Sequence, residues 1–144
     1  MHTSWGLVPP SIYNNKSSGS DYHPEWFAAG QLCWKAAGLK EFLAKRVQTL
    51  LREQPNATIL SVSQNDDQSY CKTGEDLAQS LAEGSPMAPM LQTVNFVADS
   101  IKDEFPGVAI DTLAYQYTRP APNITKPRPN VSLSLSLSLS LSLT

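Results

Sequence analysis

Between residues 35 and 53, apolar Leu39, Phe42, Leu43, Val47, Leu50 and Leu51 recur at helical spacing. Glu41, Lys45, Arg46 and Arg52 occupy much of the other face, so the pattern predicts an amphipathic helix. Gln54-Pro55-Asn56 should stop it, because proline lacks the N–H of the helix ladder and restricts the residue before it. A β-branched, apolar run over residues 57–63 follows at once and predicts a strand. A second helix is expected from Ser85-Pro86, with a serine placed to cap and a proline at the first helical position. Its stripe is Met87, Leu91, Val94, Val97, Ala98 and Ile101. Phe105-Pro106-Gly107 ends that helix, and a second strand is predicted over residues 108–117.

The stretches REQPNATILSVSQ and DEFPGVAIDTLAY therefore repeat one unit: a helix end, a proline turn and a strand. Two strands joined through a single crossover helix should be parallel. The connections are lopsided, since residues 64–84 leave a long, structureless loop after the first strand, and loops of that length are usually functional. In parallel α/β folds, sites are built from loops at the carboxyl ends of strands. The polar burst Gln64, Asn65, Asp66, Asp67, Gln68 falls at such an end.

Residues 132–143 read Ser-Leu six times without interruption. As structure, this is the period of a half-buried strand, and an unbroken Ser/Leu strand makes an aggregation-prone edge. A TC dinucleotide repeat also translates as Ser-Leu without end. The run reads as such a translated repeat, so the tail is expected to lack defined structure.

Composition narrows the picture further. A chain of 144 residues has room for one domain at most. A net charge of -2 does not point to nucleic acid or to a membrane surface. No apolar run approaches the roughly 20 residues needed to cross a bilayer. The opening MHTSWGLVPPSIY has neither the charged region nor the apolar core of a signal peptide. Cys33 and Cys71 match no zinc spacing and read as two free thiols, the alternative being one bridge in an oxidising compartment. There is no metal cluster, no Gly-rich phosphate loop and no nucleophile elbow in the sequence, so neither metal nor cofactor is expected.

Asp66, at the strand end, could act as a general acid, a base or a clamp on a sugar hydroxyl. Its plainer reading, with Asp67, is the start of a solvated turn. Tyr115 and Tyr117 would share one face of the second strand, where they either stack on a sugar ring or pack beneath the rim. Asp111, on the same face, needs a partner if it is buried. His2 and Trp5 read as the trailing end of a further strand, and HPEWF as a loop anchored by Trp26 and Phe27.

Ten segments, in order, resemble one family: LVPP, HPEWFA, QLCW, AKRV, ATILSVSQND, YC, EGSP, VNFVADSI, FPGVAIDTLAYQYTR and KPRPNV. They are similar to the domain-of-unknown-function 4838 proteins, which resemble glycoside hydrolases of the α-glucuronidase and hexosaminidase kind. The resemblance runs from about His2 to Val131. It implies α/β architecture as a (β/α)8 barrel of parallel strands, a secreted or envelope setting, and action on polysaccharide. It carries Asp66 over as the catalytic group or substrate clamp. His2, Asn65, Tyr115 and Tyr117 carry over as substrate contacts, and Trp5, three residues after His2, is expected to join them. The family's Cys-x-Cys-x-x-Cys cluster is departed from, since the matching positions are Cys71, Thr73 and Asp76. A barrel of this type needs about 250 residues and eight strands. Residues 1–131 are thus expected to form a partial barrel domain and 132–144 a low-complexity tail. Such a piece should be inactive alone, its helical stripes having too little to pack on. The alternative function is carbohydrate binding, or interaction with a partner, without catalysis.

Overall fold

In the computed structural model the described residues are 4–135. His2 and the part of the Ser-Leu run beyond Leu135 lie outside them. The described residues begin with two single helical turns, α1 (Ser4–Leu7) and α2 (Pro10–Tyr13). Trp5 is therefore helical, which corrects the reading of Trp5 as part of a strand end. A small antiparallel hairpin follows, β1 (Phe27–Ala28) and β2 (Gln31–Leu32). Its two turn residues, Ala29 at φ 48° and Gly30 at φ 84°, are both left-handed, the geometry that matches strand twist in a two-residue turn. HPEWF is an anchor as expected: His23 stacks on buried Trp26 at 4.0 Å, and the Trp26 indole N–H donates to the Ala37 carbonyl at 3.0 Å.

Helix α3 (Leu39–Glu53) starts four residues later than its pattern began, behind a left-handed Gly38. Strand β3 (Ile59–Ser61) is shorter than predicted, although the Val62 N–H still bonds to the Asp111 carbonyl at 2.9 Å. The long loop after it is not structureless. Helix α4 (Gly74–Glu83) fills its second half and ends on left-handed Gly84. Helix α5 (Met87–Ile101) then opens as predicted, with the Ser85 hydroxyl accepting the Met87 N–H at 3.1 Å. Strand β4 (Ala109–Ala114) and strand β5 (Val131–Leu135) complete the sheet.

The sheet order is β3-β4-β5 and both pairings are parallel, with Ser61 beside Asp111 and Asp111 beside Ser132. The fold is α/β around a three-stranded parallel sheet. Residues Ser132 to Leu135 thus belong to a strand, which corrects the expectation that the Ser-Leu run lacks defined structure from its first residue. Among the described residues no helix is long and apolar enough to cross a membrane.

The two predicted stripes meet each other. Leu39, Leu43, Val47 and Leu51 of α3 are buried with Leu91, Val94, Val97, Ala98 and Ile101 of α5, above Val62 and Ile110 of the sheet. Each of these side chains larger than Ala98 contributes about 1.5–3 kcal/mol by leaving water. The stripes therefore have a core to pack on, contrary to the sequence expectation. The other sheet face stays open. Ile59 there is 62% exposed, and Asp111 finds its partner on the same face, accepting from the Ser134 hydroxyl at 2.8 Å.

Cys33 and Cys71 form a disulfide with Cα atoms 5.1 Å apart, which overturns the reading of two free thiols. Sequence spacing could not reveal it. The bridge exists because the hairpin docks against the loop that leaves β3, and that contact is tertiary.

Candidate functional site

Parallel pairing brings the carboxyl ends of β3 and β4 to one edge of the sheet. Across that edge the Gln116 side-chain amide donates to Asp66 Oδ1 at 2.8 Å. Gln116 achieves this from a left-handed backbone, φ 51°, a conformation that costs a side-chain-bearing residue about 1–2 kcal/mol. The kink ends β4 at Ala114 and starts a single tight turn, Gln116–Thr118. Tyr115 and Tyr117 therefore do not share a strand face, contrary to the sequence reading. Tyr115 lines a small pocket of about 230 Å³ with Gln68, Gln116 and Arg119. Tyr117 turns inward instead: its ring stacks on Tyr70 at 5.3 Å, and its hydroxyl is buried. That burial pushes the phenol well above its ordinary range.

Beneath this rim lies a lattice of amides. Buried Gln64 donates to the Tyr115 carbonyl at 2.7 Å and accepts from the Thr118 hydroxyl. Buried Gln31 behaves like a strand backbone. Its amide nitrogen donates to the Asn65 and Asp67 carbonyls at 3.0 and 3.1 Å, and its oxygen accepts the Asn65 N–H at 3.0 Å. Asn65 ties three segments together. Its oxygen accepts from the Ser4 hydroxyl at 2.7 Å and the Trp5 N–H at 3.4 Å, and its nitrogen donates to the Gly30 carbonyl at 3.0 Å. The Asn65 side chain is thus engaged within the protein, where it positions Trp5, itself 46% exposed.

The two aspartates have separated roles. Asp67 accepts from the Ser69 N–H at 2.6 Å and the Ser69 hydroxyl at 2.5 Å, bonds that hold its carboxyl below the usual range. It is the turn-former anticipated for Asp and Asn in loops. Asp66 instead reaches over to the neighbouring strand's loop. The Ser69 hydroxyl shares its one hydrogen between Asp67 and the Ala29 carbonyl, so this loop is fastened to the hairpin by that contact as well as by Cys33–Cys71.

Of the predicted site residues, the structure assembles Trp5, Asn65, Asp66 and Tyr115 at one end of the sheet and directs the Tyr117 hydroxyl into the interior. His2 lies outside the described residues. Gln31, Gln116 and Arg119 were not anticipated. Gln31 and Gln116 carried a faint signal, each being a glutamine set among apolar or aromatic neighbours; Arg119 carried none. Among the described residues no group of three His, Cys, Asp or Glu side chains could hold a metal. A larger groove of about 880 Å³ lies over α3 and α5, away from this edge. Two of its polar residues serve the fold, Thr93 donating to the Trp34 carbonyl at 2.8 Å and Asn95 to the Lys126 carbonyl at 2.8 Å.

If Gln116 is strained in order to hold Asp66, a glycine there should relieve the backbone while releasing the carboxylate. Gln116→Gly is expected to leave thermal stability within about 1 kcal/mol of the parent. It should broaden or shift the Asp66 backbone amide resonance. An unchanged Asp66 environment would mean that the contact positions nothing.

The sequence profile of the family described as Domain of unknown function (DUF4838) matches residues 1–140. The chain belongs to that family. No curated protein and no solved structure matches it. For this DUF4838 chain, then, function must be argued from the strand-end site itself.

Proposed function

We propose that this DUF4838 chain supplies a sugar-binding rim of a glycoside-hydrolase-like (β/α)8 barrel, with Asp66 as the carboxylate that meets the glycan. The observation that carries this reading is the Asp66–Gln116 hydrogen bond across the ends of two parallel strands, beside the pocket of Tyr115, Gln68 and Arg119. Carboxylate and amide oxygens accept from sugar hydroxyls, and an aromatic ring offers an apolar face to the C–H side of a pyranose. Hydrolysis needs a second carboxylate about 5–10 Å from the first. Asp67 is tied to Ser69, so in this reading the second carboxylate comes from elsewhere in a complete barrel, and this chain binds without cleaving. A secreted or envelope setting accords with the Cys33–Cys71 bridge, since disulfides persist where the surroundings are oxidising.

The engagement of Asp67 also favours a second reading, carbohydrate binding with no catalysis in the complete protein either. Both readings are tested by titrating the chain with neutral and amino-sugar oligosaccharides, followed by calorimetry, with reducing-end release assayed in parallel. Saturable binding is expected, weakened at least tenfold by Asp66→Asn and less than threefold by Asp67→Asn. In a complete barrel, hydrolysis lost with Asp66→Asn would favour the enzyme over the binding module. Equal effects of the two substitutions would show that the wrong carboxylate has been chosen, and a chain that binds no glycan would dispose of both readings.

A further inference from the structure

We propose that Asn56 is the acceptor of an N-linked glycan, and that the fold selects it over the other candidate asparagines. Four Asn-x-Ser/Thr triplets occur in the chain, at Asn15, Asn56, Asn123 and Asn130. An oligosaccharyl transferase reads this triplet when its middle residue is not proline, a condition that all four meet. Triplets this short arise by chance, so the sequence alone does not separate them. The folded chain does. A glycan replaces one hydrogen of the side-chain amide with a bulky, hydrated group, so that nitrogen must stay open to water.

Asn130 fails this requirement. It is half-buried, its amide nitrogen donates to the Ala98 carbonyl of α5 at 2.9 Å, and its own carbonyl accepts the Ile110 N–H at 2.9 Å. Asn15 is exposed but engaged on both sides. Its oxygen accepts the Ser17 N–H at 3.0 Å, and its nitrogen donates to the Ser11 carbonyl at 3.3 Å. The Asn123 triplet is clamped to the end of α4. There the Asn123 N–H donates to the Glu83 carbonyl at 3.0 Å and the Thr125 hydroxyl to the Glu83 carboxylate at 2.7 Å.

Asn56 meets the requirement. It stands in the turn between α3 and β3, where the Ala57 N–H donates to the Gln54 carbonyl at 3.0 Å. Asn56 and Thr58 are both exposed, and among the described residues the Asn56 side chain makes no hydrogen bond. The turn enters β3 at its amino end, whereas Asp66 follows the carboxyl end, so a glycan on Asn56 leaves the strand-end rim uncovered. The Cys33–Cys71 bridge is the independent sign of compartment, since disulfides persist in the oxidising setting where secreted chains receive glycans. Glycan acceptance rests on that secreted setting and not on sugar binding at Asp66, so either reading can fail without the other.

Transfer joins Asn56 Nδ2 to the anomeric carbon of an oligosaccharide carried on a lipid pyrophosphate. The bond from that carbon to the pyrophosphate oxygen breaks, the lipid pyrophosphate leaves with the electron pair, and the amide gives up one proton. The experiment is secretion of the full chain behind a cleavable leader from a glycosylating eukaryotic host. Occupancy is read at each asparagine by peptide mass spectrometry after enzymatic deglycosylation in heavy-oxygen water. Cell-associated and secreted chains are both measured, so a poorly secreted variant still gives a result. Asn56 is expected to be occupied in most chains and Asn130 in almost none. Asn56→Gln and Thr58→Ala should each remove one glycan from the intact mass. A chain bare at Asn56, or occupied more fully at any of the other three, would overturn the proposal. So would an intact mass that loses no glycan in either variant.

Discussion

Reducing the Cys33–Cys71 bridge should lower the unfolding free energy of this protein by about 4 kcal/mol. The two cysteines are 38 positions apart, and closing a loop of that size removes roughly that much entropy from the unfolded chain in the loop-closure account. The bridge also stands where local structure is thin. It joins the residue after β2, whose Leu32 is buried in the core with the α3 and α5 stripes, to the loop leaving β3, which is exposed from Asp66 to Gln68. Removal should therefore loosen residues 64–73 before it loosens the helices. The measurement is urea unfolding with and without dithiothreitol, repeated on a Cys33→Ala, Cys71→Ala variant that is blind to reductant. Hydrogen exchange should show protection lost first in residues 64–73. A midpoint indifferent to reductant would mean that the hairpin is held by its amides alone.

Nearly as large a loss is expected from Asp76→Ala, about 3 kcal/mol. Asp76 of α4 is 4% exposed, and its two oxygens accept the Trp34 and Lys35 N–H groups at 2.8 and 2.9 Å. Alanine would leave two donors without partners, each costing about 1–3 kcal/mol where it stays buried. Burial pushes the Asp76 carboxyl above its ordinary value of 3.8, although the two N–H groups pull it partly back. A carboxyl raised in the folded state binds its proton more tightly there than in the unfolded chain. Its contribution is therefore full below the unfolded value and declines as pH rises through the folded one. The loss on substitution should accordingly be larger at pH 3 than at pH 7.

Glu83 should behave in the opposite sense. Burial pushes its carboxyl up, but bonds from Thr125 and Gln79 outweigh that and hold it below 4.5, so its contribution disappears as pH falls. Chemical denaturation of parent and Asp76→Ala at both pH values separates the two effects. A pH-independent difference would show that Asp76 keeps its charge on folding as easily as off it. Trp34 adjoins Cys33, so this substitution and loss of the disulfide should not add independently.

Helices α3 and α5 and the direction of the strands were legible in the sequence because both follow from local chemistry, whereas α4 fell in what reads as a loop. The stripes of α3 and α5 are period-3.6 patterns, and those residues are buried, with Phe42 and Leu50 half-buried at the margin. Pro55 and Pro106 end their helices through the missing N–H, whatever surrounds them. Parallel pairing of β3 and β4 follows from topology, since the chain must cross back before it can pair. The polar burst at Gln64–Gln68 likewise marked the end of a strand, and Asp66 does stand at the edge where the two strands finish.

Everything that gives this edge its form was decided by tertiary contacts. Tyr115-Gln116-Tyr117 alternates like a strand, yet left-handed Gln116 folds it into a turn, where its amide bonds Asp66, a residue 50 positions away. Asn65 looked like a ligand residue, but its amide is complemented by Ser4, Trp5 and Gly30, brought to it from the other end of the chain. The Cys33–Cys71 pairing has no signature in spacing, because a disulfide reports only that two loops have docked. Periodicity records which face of an element prefers to leave water. It holds no record of which distant polar group will satisfy a buried amide, and at this site those distant pairings set the arrangement.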